Sequence, residues 1–242
     1  MPIKFTAVAV LLSLSYANLA WAAQDHMDEH LNEHGGQIFH AFTLEADVGA
    51  GQHDPIASWD FDGWVGGDVH KLHLKSEGEA VDSKTESVEF WAMYSRNVAT
   101  FWDAQVGIRQ DTQSPSIPYL VAGFEGLAPY FFETEAHVFV SDEGDVSARL
   151  RQERDFLITQ RLIVQPYLEA NLYAQDVADQ EVGAGLANAE FGIQTRYEIT
   201  RKFAPCVDVR YERKFGETSS IAKKNGEDND DFIASLGLRL MF

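Results

Sequence analysis

The sequence is poor in three things. It has one cysteine, Cys206, in 242 residues, so no internal disulfide framework staples the chain. It has half as many basic as acidic side chains, 19 Lys and Arg against 38 Asp and Glu. The resulting formal charge of -19 repels phosphate, which argues against a nucleic-acid partner and favours cations. Past residue 23 there is no run of about 18 apolar residues, the length a helix needs to cross a bilayer, so no helical anchor is available. Mean hydropathy is -0.23. A membrane β-barrel is compatible with that value, because lumen-facing residues dilute the apolar ones at every second position.

What is present begins with a leader. Lys4 precedes the apolar run Phe5 to Leu19, and Ala20-Trp21-Ala22 has the small-x-small pattern of a signal-peptidase site. Residues 1–23 therefore read as a signal peptide and the remainder as exported. Residues 24–37 are polar, with His26, Met27, His30 and His34 set among acids. Such a composition buries no core and reads as a flexible periplasmic arm.

From Ile38 the chain switches to period two. In the last twelve residues Phe232, Ala234, Leu236, Leu238, Leu240 and Phe242 share one parity, while Ser235, Gly237 and Arg239 share the other. Lipid on one side and an aqueous lumen on the other explain that alternation, and the run reads as the closing strand and assembly signal of a barrel. The same pattern recurs upstream: Phe42 to Val48, Leu72 and Leu74, Val88 to Tyr94, Trp102 to Ile108, Phe132 to Val140, Leu162 to Leu172, Phe191 to Tyr197 and Val207 to Tyr211 all alternate with polar neighbours. Counting every such segment gives about 12 strands. Tight connections such as 66–67 and 96–97 alternate with longer ones, 76–85, 110–118, 175–186 and 216–230, as periplasmic turns alternate with extracellular loops. The expected fold is all-β, an antiparallel transmembrane β-barrel over 38–242 in the outer membrane, with lipid as its surroundings.

Apolar parity toward lipid turns a crowd of ionisable groups inward, among them Glu45, Asp47, His73, Lys75, Glu133, Glu135, His137, Arg149 and Arg151. Pairing among these charges fills a narrow lumen. His73, His137, Glu133, Glu135 and Met93 also offer a cation a place to pause. Imidazole and carboxylate suit divalent copper or zinc, and thioether suits monovalent copper; His26, Met27, His30 and His34 carry the same chemistry in the arm. Cys206 has inward parity, where a lone thiol is usually a packing residue.

Several runs carry a resemblance. Trp59-Asp-Phe-Asp-Gly-Trp-Val-Gly-Gly-Asp68, Phe101-Trp-Asp-Ala-Gln-Val-Gly-Ile-Arg109, Gly126-Leu-Ala-Pro-Tyr-Phe-Phe-Glu133, Leu157-Ile-Thr-Gln-Arg-Leu-Ile-Val-Gln-Pro166 and Tyr211-Glu-Arg-Lys-Phe-Gly216 look like the copper resistance protein B family. The match runs in order from His34 to Phe242. It implies an outer-membrane barrel that binds or passes copper ions, working beside a periplasmic multicopper oxidase and copper carriers. The chain departs from the family pattern at Gln110, where a histidine is expected, and at Cys206, where an aromatic is usual.

Two other function classes stand beside that one. A weakly cation-selective or structural porin needs only the acidic lumen. A barrel hydrolase needs a nucleophile beside a base, but no His-x-Ser occurs, and His137 and Ser141 lie roughly 13 Å apart along a strand. No enzyme is expected.

Overall fold

The computed structural model describes residues 37–242 apart from 53, 83 and 113–115. The leader, and the arm with His26, Met27, His30 and His34, lie outside the described residues. In chain order the strands are β1 (Phe39–Ala50), β2 (Pro55–Gly66), β3 (His70–Val81), β4 (Lys84–Ala99), β5 (Trp102–Asp111), β6 (Ile117–Ala128) and β7 (Phe132–Ser141). There follow β8 (Val146–Glu153), β9 (Phe156–Leu157), β10 (Leu162–Tyr173), β11 (Gly185–Tyr197), β12 (Phe203–Lys214), the helix α1 (Gly216–Asn225) and β13 (Asp230–Met241).

Each strand pairs antiparallel with its neighbour in sequence, and β13 pairs with β1, so the sheet closes on itself. Both β8 and β9 pair with β10, β8 against Tyr167–Tyr173 and β9 against Ile163 and Val164. They are one stave interrupted at Arg154 and Asp155, which makes a 12-strand barrel with one extra strand. Closure satisfies every edge, a necessity in hydrocarbon where no water is available to an unpaired N–H or C=O.

The apolar parity faces out. Val106, Ile108, Leu120, Phe191, Phe232 and Leu236 are each at least half exposed, while Gln105, Arg109, Gln194, Ile233 and Ser235 beside them are buried. An unbroken belt of this kind is unstable in water and at home in lipid. Short turns join the strands at the end where β1 begins and β13 ends, the periplasmic end in outer-membrane barrels. At the opposite end β10–β11 and β12–β13 have the longest connections, and these lock together. Gly183 N donates to Thr218 Oγ1 at 3.0 Å, and Asn225 Nδ2 donates to Glu181 Oε1 at 2.9 Å. Gly226, with φ of 81°, ends α1 in the left-handed conformation that suits a residue without Cβ.

One expected loop is absent, and the turn expected at 96–97 lies inside β4, where Arg96 faces Ala104 and Asn97 faces Asp103. The expected loop at 76–85 is largely strand; Glu77 faces Glu89 and Gly78 faces Val88, and β3 runs on to Val81 and β4 begins at Lys84. The alternation fades there because the sheet has left the lipid, so both faces are free to be polar.

Candidate functional site

The lumen is divided. Along β4 to β7 the inward positions hold an apolar cluster of Trp91, Met93, Tyr119, Val121 and Phe139, with Met93 wholly buried. Arg109 lies among these rings, its guanidinium carbon 4.8 Å from the centre of Phe139, 4.9 Å from Tyr119 and 5.5 Å from Trp91. Its charge is held by Glu89 at 2.9 Å and Asp111 at 2.6 Å. Arg149 of β8 reaches Trp91 and Phe139 and binds Glu77 at 3.0 Å, Glu89 at 2.9 Å and Glu169 at 3.4 Å. Stacked arginines and rings fill this sector as a plug, each cation offset by carboxylates and by ring faces. From above, Gln180 of the β10–β11 connection donates to Tyr119 Oη at 2.5 Å.

Across the lumen lies a chamber of about 380 Å³. Its walls carry thirteen carboxylates, Glu45, Asp47, Asp60, Asp62, Glu77, Glu79, Glu125, Glu133, Glu135, Glu153, Glu169, Glu190 and Asp208, against four cations, Lys75, Arg151, Arg210 and Arg239. Low-dielectric walls focus this negative field and concentrate cations inside.

The histidines stand where plug and chamber meet. Strand register puts His73 directly opposite Met93, close enough for their side chains to touch. Gln105 joins His73 to His137. Its Oε1 accepts from His137 Nε2 at 2.7 Å, and its Nε2 lies 2.8 Å from His73 Nδ1 and 2.7 Å from Glu125 Oε2. His73 Nδ1 also lies 3.2 Å from Glu125 Oε2, and its Nε2 lies 3.1 Å from each oxygen of Asp62, so a carboxylate flanks the ring at both nitrogens. The ring of His137 meets Trp91 edge-on at 5.4 Å. It rests over Gly123, where an added Cβ would lie 2.5 Å from its Cδ2. The glycine is what lets the imidazole lie down against the wall.

Of the expected ligands among the described residues, the structure gathers His73, Met93 and His137, while Glu133 and Glu135 line the chamber. Glu135 holds Lys75 Nζ at 2.5 Å, and Glu133 is an exposed residue of the chamber wall. Among the described residues no three or more His, Cys, Asp or Glu converge as a ready metal cluster. Two imidazoles beside a thioether suit copper by donor chemistry, yet both rings are already engaged by Gln105. Cys206 sits on the far wall, 3.7 Å from Asp47 Oδ1. His70 faces outward and is 2.5 Å from Tyr94 Oη. Gln105, Glu125 and Asp62 were not foreseen as part of the site. Gln105 has inward parity between Ala104 and Val106, but an uncharged amide gives no chemical signal of its own.

Comparison with known proteins bears on the whole barrel. Residues 39–242 match the family described as "Copper resistance protein B precursor (CopB)". Copper resistance protein B of Escherichia coli is 41% identical over 186 residues, which cover 76% of this chain and 63% of that protein. The copper resistance protein B homolog of Pseudomonas syringae pv. tomato is 41% identical over 187 residues, with the same coverage. The alignments therefore span less than two thirds of the relatives' length. Among solved structures the fold is similar to a NanC porin, with TM-score 0.57 at 12% identity over 81% of this chain and 98% of the porin. It is also similar to a KdgM porin, with TM-score 0.51 at 10% identity over 84% of this chain and 99% of that one. The barrel is an outer-membrane protein, and the chain belongs to the copper resistance protein B family.

Proposed function

We propose that this barrel contributes to copper resistance by binding copper ions or passing them across the outer membrane. The observation that carries this reading is the placement of His73, Met93 and His137 at the edge of an acidic chamber. The chamber draws cations in without selecting among them; imidazole and thioether select for copper. In this reading Gln105 is the group a copper ion displaces, swapping two hydrogen bonds for metal–ligand bonds. Glu133 and Glu135 act as chamber charges that hand the ion on, and His26, Met27, His30 and His34 collect it in the periplasm. A multicopper oxidase and small copper carriers are the partners the family implies. No catalytic step belongs to this reading.

Titration of the refolded full-length protein with Cu²⁺ and with Cu⁺ tests it. Replacing His73 and His137 together by alanine should weaken the tightest lumen site by at least about tenfold, the scale of loss seen when ligand shells are disturbed. Copper accumulation in cells with and without the protein then gives the direction of movement.

A second reading, a weakly cation-selective porin without a specific metal site, is favoured by the engagement of both imidazoles with Gln105 and by the surplus of carboxylates. Its signature is cation conductance that does not distinguish copper from other ions, and copper affinity unmoved by the double histidine replacement.

A further inference from the structure

The chamber wall farthest from the histidines has its own chemistry. In register, Gln194 of β11 faces Asp208 of β12, and Asp208 faces Ser235 of β13. One step along, Asp47 of β1 faces Gly237 of β13, which in turn faces Cys206 of β12. Gly237 has no side chain, and a Cβ there would collide with Asp47 Oδ1. The Asp47 carboxylate therefore lies across β13 and comes within 3.7 Å of Cys206 on β12. Four consecutive strands thus present two carboxylates, an amide and a hydroxyl to one concave patch.

Two of these oxygens are buried and unpaired. Gln194 is 9% exposed and Ser235 6%, yet neither Gln194 Oε1 nor Ser235 Oγ has a hydrogen-bond partner. The Gln194 amide is not free to turn, because its Nε2 donates to Glu45 Oε2 at 2.7 Å. A buried carbonyl oxygen without a donor is costly, and Gln194 lines a chamber rich in carboxylates, where a cation would complement it. The neighbouring arginines do not supply it: Arg210 Nε and Arg239 Nε are themselves buried without a hydrogen-bond partner, so neither reaches these oxygens. Arg210 binds Glu79 at 2.7 Å and stands 3.8 Å from both Glu190 and Asp208, and Arg239 binds Glu45 at 3.1 Å.

We propose that Asp47, Asp208, Gln194 and Ser235 form a site for a hard divalent cation of the calcium class, with water completing its coordination. The ligands are all oxygen, the donor set of Ca²⁺ and Mg²⁺ rather than of monovalent copper. Two carboxylates balance a divalent charge, and so few charged ligands give a weak site, with Kd on the order of 10⁻⁴ to 10⁻³ M, as in extracellular modules. The ion offsets part of the chamber's negative charge. The inference is independent of any copper site on the opposite wall.

The test uses the refolded full-length protein freed of divalent ions and titrated with Tb³⁺, a luminescent calcium analogue. Tyr167 donates to Asp208 at 3.1 Å and is placed to sensitise the bound ion. Ca²⁺ should displace the tyrosine-sensitised component. Asp208→Asn and Gln194→Leu should each weaken it by about tenfold or more, on the scale of disturbed ligand shells, and Ser235→Ala by a smaller factor. Glu143→Gln, in an exposed external turn, should leave it unchanged. Ser235→Ala guards against misfolding: without divalent ions it should melt no lower than wild type, since it only removes an unpaired hydroxyl, whereas added Ca²⁺ should raise the wild-type melting point more than its own. If Ca²⁺ fails to displace the sensitised Tb³⁺, or if the three site variants titrate as wild type does, the patch holds water only and the proposal is overturned.

Discussion

The two sides of the lumen are built from the same residue types and behave as different materials. Around β4 to β8, Arg109 lies against Trp91, Tyr119 and Phe139 and Arg149 against Trp91 and Phe139, both nearly excluded from solvent. Facing the chamber, Arg151 of β8, Arg210 of β12 and Arg239 of β13 stand among a surplus of carboxylates and open volume. A cation in the plug is part of a packed core, held by ring faces as well as by carboxylates. A cation in the chamber is a partly hydrated counter-charge. The lesson is that "lumen-facing charge" names two physical situations, which mutation separates.

The largest expected effect is therefore in the plug. Arg149→Ala strips Glu77, Glu89 and Glu169 of a shared partner. Glu89 keeps Arg109 at 2.9 Å, but Glu77 and Glu169 lose the guanidinium; breaking a buried pair costs about 3–5 kcal/mol, to be read as a lowered urea midpoint for the barrel refolded in lipid vesicles. Phe139→Ala comes next, at about 3 kcal/mol for a fully buried ring. It also removes the residue that Arg109, Trp91 and Tyr119 pack against. Ion conductance in planar bilayers should rise as well; unchanged conductance would mean that ions do not pass through this sector. Gly123→Ala, at the border, is smaller in energy, about 1–3 kcal/mol for an overpacked contact. Its sharper readout is chemical, because the new Cβ would lie 2.3 Å from Ala136 O and 2.5 Å from His137 Cδ2, so the ring must shift and copper affinity should fall without replacing a ligand. Equal copper binding by wild type and Gly123→Ala would detach His137 from the site.

Much of the barrel was legible in the sequence, because lipid on one side and water on the other impose a period-two signal that no local propensity overrides. Phe232, Leu236 and Leu238 on the outside and Ser235 and Arg239 on the inside follow parity as expected. Parity gives direction but not position around the ring, which depends on how far each strand is staggered against the next. That is why the contact between Arg149 of β8 and Glu77 of β3 had no sequence signal. The same holds for Gln105, whose role comes only from standing between His73 and His137. The long loop expected at 76–85 reflects the same limit, since a strand that emerges from the membrane loses its alternation while keeping its hydrogen bonds.

The smallest expected effect sharpens the contrast most. Arg151 makes two ion pairs, with Asp60 at 3.3 Å and Glu153 at 3.4 Å, so on a count of contacts it resembles Arg149. The difference lies in the surroundings: its side chain is 29% exposed and those of its partners 35% and 24%, whereas Arg149 is 14% exposed. Partly hydrated pairs are worth about 0–1 kcal/mol, because water solvates either partner once the other is gone. Arg151→Ala should therefore lower stability by no more than about 1 kcal/mol. What it does lose is long-range charge balance among Glu133, Glu135 and Glu153, and mobile ions screen that within roughly 10 Å at 0.1 M salt. Raising the salt should shrink the Arg151→Ala deficit toward zero and leave the Arg149→Ala deficit nearly intact. If instead both deficits were large and indifferent to salt, the chamber would have to be as dry as the plug, and the acidic wall would hold the barrel together rather than attract cations into it.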